Sequence, residues 1–264
     1  MSDSLRMHFV SSGLLPWMLL LGMLAFGELG WRIGRRIAVR YEHSHSSASS
    51  TFVAAIFGLL ALLVAFTFSG AANRYDLRRE LIVKETSSIG TAYLAVDRLN
   101  DADQPPIRGM FREFLDHRIA LYQDAGDSAA LNKKIEAQSA LGLKLWRAAV
   151  DVVKKTDAPQ RAVAARILLD ISAMLDAFDN QRLAMKFHPP AIIWQSLFLL
   201  PLIGALLAGY NLGVERKRDW LLNLVFVILM VGALYVILSL EFPRLGHVTL
   251  DDFEQELVAL RKSM

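Results

Sequence analysis

The chain has 264 residues, 54% of them hydrophobic, with a formal net charge of only +3 and a positive mean hydropathy. That apolar share exceeds the roughly 45–50% usual in soluble domains and points to a membrane protein. The near balance of charge disfavours a nucleic-acid binder, which needs a basic face. The absence of cysteine removes thiol nucleophiles and is compatible with an oxidising compartment.

The first apolar stretch, Gly13 to Trp31, approaches the ~20 residues that cross a hydrocarbon core about 30 Å thick. It is not a cleavable signal, because the run is long, bases follow it and no small-x-small site ends it cleanly. Glu28 near its end is an ionisable residue at a membrane edge, a functional candidate by default. The simpler reading pairs it with Arg32, one helical turn on. Gly30 and Gly34 form a GxxxG step, read as a helix-packing contact. In the following link, His43 and His45 lack the carboxylates or thiols that a metal site would add, and no metal is expected.

The second span runs from Phe52 to Ala72 and passes through AFTFSGAANRYDLRRE into a charge cluster without a proline. Small residues recur at Ala54, Gly58, Ala61, Ala65, Ser69 and Ala72, at helical spacing. Such a stripe admits another helix closely. It is either a packing seam or one wall of an oligomeric pore, with Thr67, Ser69 and Asn73 offering polar groups along the path. Arg74 and Arg78, one turn apart at the exit, would then favour anions as a ring. Their alternative is a snorkelling collar, partly neutralised by Asp76 and Glu80.

Helical periodicity continues through Ile82, Thr86, Ile89, Tyr93 and Val96 until Asn100-Asp101 and Pro105-Pro106 stop it. A second helix is predicted from Pro106 to Gln123 with Ile107, Phe111, Phe114 and Tyr122 inward. A third, capped by Asp127 or Ser128, presents Leu131, Ile135, Gln138, Leu145, Ala149 and Val152. A fourth follows an Asp157 cap and buries Val163, Ile167, Ile171, Met174, Phe178 and Met185, with a kink at His188-Pro189-Pro190 before the third span. No stretch alternates with period two. The segment Asn73 to His188 holds 18 bases and 16 acids, a charged but nearly neutral surface.

The third and fourth spans are Ala191 to Leu212 and Trp220 to Leu240, and neither carries Lys or Arg. After them Leu250, Phe253, Leu257 and Leu260 mark a short amphipathic helix whose acidic early turns suit docking on protein better than on anionic lipid. The fold class is therefore all-α, with four transmembrane helices and a helical extramembrane bundle. The expected domains are residues 1–72, a bundle over 73–188 continuous with the second and third spans, spans three and four over 189–240, and an amphipathic tail over 241–264.

Several stretches together, FGELGWRIGRR, GLLALLVAFTFSGAANRYDLRRELIVKETSSIGTAYL, HPPAIIWQSLFLLPLIGALLAGYNLG and LEFPRLGHV, resemble the bacterial membrane proteins grouped as the bestrophin-like domain family. The resemblance covers nearly the whole chain in order, and its most specific pieces are the span-two exit and the turn with Pro243, Arg244 and Gly246. It implies a bacterial inner-membrane protein. The family's name implies kinship with bestrophins, pentameric anion channels whose second membrane helix lines the pore.

Charge sets the expected orientation. Arg32, Arg35, Arg36 and Arg40 after span one, and Arg216, Lys217 and Arg218 after span three, place loops 32–50 and 213–219 in the cytoplasm, with both termini and the 73–188 segment outside. The expected function is an oligomeric membrane protein that conducts or gates small ions, anions foremost, along its second span. The alternative is a non-conducting envelope sensor or partner-binding scaffold built on the bundle. No nucleotide, dinucleotide, zinc-protease or nucleophile-elbow motif is present, so neither enzyme activity nor a cofactor is expected. The expected partners are the lipid bilayer, further copies of the chain and small ions, with no nucleic acid.

Overall fold

The structure, a computed structural model, describes residues 14–40, 47–123, 128–216, 218–242 and 251–264. The described residues contain helices and no strand. In chain order these are α1 (Leu14–Arg40), α2 (Ser47–Leu94), a 3-10 turn (Ala95–Arg98), α3 (Gln104–Gln123), α4 (Ser128–Lys155), α5 (Ala158–Ala164), α6 (Arg166–Ala184), α7 (Ala191–Val214), α8 (Trp220–Glu241) and α9 (Asp251–Ser263). α1, α2, α7 and α8 are long and apolar enough to cross a membrane. The protein is an all-α membrane protein.

The chain divides into two compact units, residues 1–75 with 188–248, and residues 76–187 with 249–264. The division falls inside α2, a single helix of 48 residues. At 1.5 Å per residue it is about 70 Å long.

The first unit has a core of Leu19 and Met23 from α1, Ala71 from α2, Leu197 and Ala205 from α7, and Val227, Leu234 and Ile237 from α8. Within it α1 and α7 meet backbone to backbone. A methyl group placed on Gly30 would lie 2.0 Å from the Leu206 carbonyl oxygen, and one on Gly34 would lie 2.2 Å from that of Tyr210. Gly209 and Gly213 reciprocate, meeting the carbonyl oxygens of Gly27 and Trp31 at 2.0 and 2.3 Å. Membrane helices lack a hydrophobic drive to associate, so this closeness, with its dispersion and weak Cα–H···O contacts, is what holds the pair.

The second unit packs Ile82 and Ile89 of α2, Ile107, Phe111 and Phe114 of α3, Leu145 and Ala149 of α4, and Ile167, Ile171 and Met174 of α6 into one core. Tyr93 meets Phe111 edge-on at 5.9 Å, and Phe114 meets Phe178 at 6.3 Å. A buried ion pair crosses this core. Arg118 grips Glu85 with two bonds of 2.5 and 2.8 Å, donates to Gln181 at 2.9 Å, and lies over the Phe178 ring. α9 docks in the same unit, burying Leu257 and forking Arg261 onto Asp116 at 2.6 and 2.9 Å. The Met264 carbonyl accepts from Tyr93 and Arg112. Burial raises the Tyr93 pKa, but hydrogen bonds from Arg108 and Arg112 and their charges outweigh it, so the phenol lies below its ordinary value.

Three details depart from expectation. The fourth bundle helix is two helices, broken at Ala165, and Val163 on the first is 53% exposed instead of buried. α6 ends at Ala184 and α7 starts at Ala191, so the second junction is a full break and not a kinked continuation. Two successive prolines remove two amide donors and drive the preceding residue out of the helical region. Asp157 stands at the start of α5, but its side chain makes no capping bond. Asp127, His43, His45, Arg244 and the Pro243–Gly246 turn lie outside the described residues.

Candidate functional site

The membrane part of α2 has two faces of different character. One carries Leu60, Thr67 and Ala71, all buried in the first unit. The other carries Ala54, Gly58, Ala61, Ala65 and Ser69, all exposed, with Asn73 exposed beside them. Nothing lies within 4 Å of where a Gly58 side chain would begin. At about 100° per residue, Thr67, Arg74 and Arg78 fall roughly opposite the small-residue stripe. The five residues named for an ion path therefore separate into Ser69 and Asn73 on the uncovered face and Thr67, Arg74 and Arg78 on the covered one.

Each residue of the covered face has a partner. The Thr67 hydroxyl donates to the Leu63 carbonyl at 2.8 Å, back-bonding to its own helix. Arg78 is 2% exposed and donates to the Phe187 carbonyl at 3.1 Å. Arg74 donates through Nε and Nη2 to Glu241, each at 2.8 Å. The Glu241 side chain is wholly buried and also meets His188 Nδ1 at 3.0 Å. The His188 ring stacks on Phe242 at 5.1 Å, and Trp194 leans on the same phenyl ring. Three elements thus converge on one carboxylate: α2, the segment before α7, and the last residue of α8.

A second polar cluster gathers α1 and the turn between α7 and α8. Arg32 donates to Glu28 at 2.9 Å, the one-turn pair. Arg218 approaches the other Glu28 oxygen at 3.3 Å. Its guanidinium lies between the Trp31 and Trp220 rings, 4.6 and 4.7 Å from their centres. Asp219 caps α8 by accepting from the Leu222 amide at 3.1 Å. Glu28, read alone as half of a helical pair, is shared by two arginines.

α8 borders the uncovered face. Between it and α2 runs an open apolar groove lined by Ala61, Ala65, Phe226, Met230, Gly232 and Ala233. No group of three or more potential metal ligands occurs among the described residues.

The model of the bestrophin-like domain family matches residues 22–251. The chain belongs to that family. The match takes in α1 from Gly22 onward, the other three apolar helices, the charged exit of α2, Glu241 and both polar clusters. Among curated proteins and among solved structures nothing matches this bestrophin-like chain.

Proposed function

We propose that this bestrophin-like protein is a homo-oligomer of the bacterial inner membrane that conducts or gates small ions, anions foremost. In this reading copies pack around an axis through the uncovered face of α2. The observation that carries it is that the small-residue face, with Ser69 and Asn73, has no cover from the described residues of its own chain. Acyl chains cannot satisfy an amide or a hydroxyl, so these groups call for water or a neighbouring protein surface.

Thr67, Arg74 and Arg78 stand off that path on the covered face, where Arg74 pairs with Glu241 and Arg78 with the Phe187 carbonyl. The bundle is proposed to lie outside, with both termini. Support comes from the basic links Arg32 to Arg40 and Arg216 to Arg218, which favour the cytoplasm. Purified protein in planar bilayers should give currents whose reversal potential moves in a chloride gradient and which fall to background in the Ser69→Leu/Asn73→Leu variant. Silent bilayers over a wide range of voltage and tension would overturn the proposal.

A second reading, a partner-binding scaffold, draws on Leu169 and Leu183 of α6, which are 71% and 45% exposed on one side of the helix. Crosslinking through this side to one stoichiometric partner, without conductance, would favour it.

A further inference from the structure

The last turns of α1 carry Arg32, Arg36 and Arg40 in one-turn steps, with Arg35 beside them, all exposed. Like charges so spaced on a helix repel one another. The helix C-terminus favours cations only in its final turn, which reaches Arg40 but not Arg32. Arg32 is answered by Glu28. Arg36 and Arg40 have no ion pair with any described residue.

The turn after α7 adds two more exposed arginines and is fixed to α1. Arg216, held at φ 57°, donates to the Ala38 carbonyl at 3.1 Å. Arg218 is clamped between Trp31 and Trp220 and paired with Glu28. Among the described residues the acids of this end are Glu28, occupied by two arginines, Asp219, occupied by the α8 cap, and Glu215. Among the described residues, six arginines against three acids leave a positive surface.

Exposed Ile33, Ile37 and Val39, at 39%, 38% and 66%, are interleaved with these arginines. Water gains nothing from that mixture, whereas the headgroup zone of a bilayer suits it. There guanidinium groups meet phosphates, aliphatic side chains reach the upper acyl carbons, and indoles anchor the boundary. We infer that the end of α1 and the α7–α8 turn form a binding surface for the phosphate of anionic phospholipids. The inference stands apart from conduction.

The test reconstitutes the full chain in mixed vesicles of phosphatidylglycerol and phosphatidylcholine and measures, with spin-labelled forms of each, which lipid is immobilised at the protein surface. The native protein should favour the anionic lipid several-fold. Arg36→Gln/Arg40→Gln should bring that ratio close to one with unchanged thermal unfolding, while Arg147→Gln in the bundle leaves it in place. Equal immobilisation of both lipids by the native protein, or a preference that survives the double variant, would overturn the inference. Excess inorganic phosphate separates lipid from soluble anion. A preference that persists as it does in chloride of equal ionic strength supports a lipid site, and its selective loss to phosphate would identify a free-phosphate site instead.

Discussion

Glu241 is a carboxylate with no exposed side-chain surface, answered by a guanidinium that is 28% exposed and a half-exposed imidazole. Converting it to an amide removes the charge that Arg74 depends on and leaves a partly buried cation, at a cost of about 1–3 kcal/mol. Glu241→Gln should lower unfolding stability by that amount, and His188→Gln by less. Adding Arg74→Met to Glu241→Gln should recover part of the loss; strictly additive losses in the double-mutant cycle would show that the pair is uncoupled. Arg74 was visible in the sequence as a charge leaving an apolar run. Glu241 and His188 as its partners were not, because hydropathy registers an acid at a span edge but carries no information on what lies 167 residues away. The pairing of Glu85 is hidden in the sequence for the same reason. Glu85 occupies the apolar line of α2 as one acid among many, and only the fold brings Arg118 to it.

Between elements, glycines decide how near two helices come. The GxxxG step at Gly30 and Gly34 announced a close approach, yet a pair of small residues does not name its partner; the matching Gly209 and Gly213 on α7 supply it. Gly30→Ala sets a methyl group against backbone and not against a flexible side chain, so the helices must part, costing about 1–3 kcal/mol or more. Gly58 and Gly232 meet nothing within 4 Å. Gly58→Ala and Gly232→Ala should therefore leave the unfolding of the isolated chain unchanged or raise it slightly through helix propensity. Gly58→Leu should likewise spare the fold but reduce crosslinked oligomers in detergent. Loss of stability in Gly58→Ala matching that of Gly30→Ala would contradict this division between a covered seam and an open face. The helices of the bundle were legible because three- and four-residue spacing is dictated by one buried side. The break at Ala165 was not, since no glycine or proline marks it.

For the molecule as a whole, the four membrane helices begin and end within a few residues of the apolar runs, except where α1 and α2 continue beyond them. Bilayer thickness and the need to satisfy every backbone group internally leave little freedom there. Which side the bundle occupies is a separate matter, determined by charge during insertion and not by packing. Single cysteines at Ser128 and Ser46 in this cysteine-free chain should report it: an impermeant thiol reagent should label the first and spare the second in intact spheroplasts. Labelling of Ser46→Cys alone would reverse the proposed orientation.

The α1–α7 seam also has a history within the life of each molecule. Its two halves are separated by the bundle, so α1 enters the bilayer when the helix that will meet its glycines has not been made. At about 5–20 residues per second, the roughly 150 residues between them delay that meeting by on the order of ten seconds. Through that interval Gly27, Gly30 and Gly34 face lipid or a temporary companion, and Glu28 has only Arg32 beside it. Arg218, emerging just after α7, reaches the same carboxylate from the other side. The seam thus closes late, and an insertion factor that shields small-residue faces would have its longest task at α1.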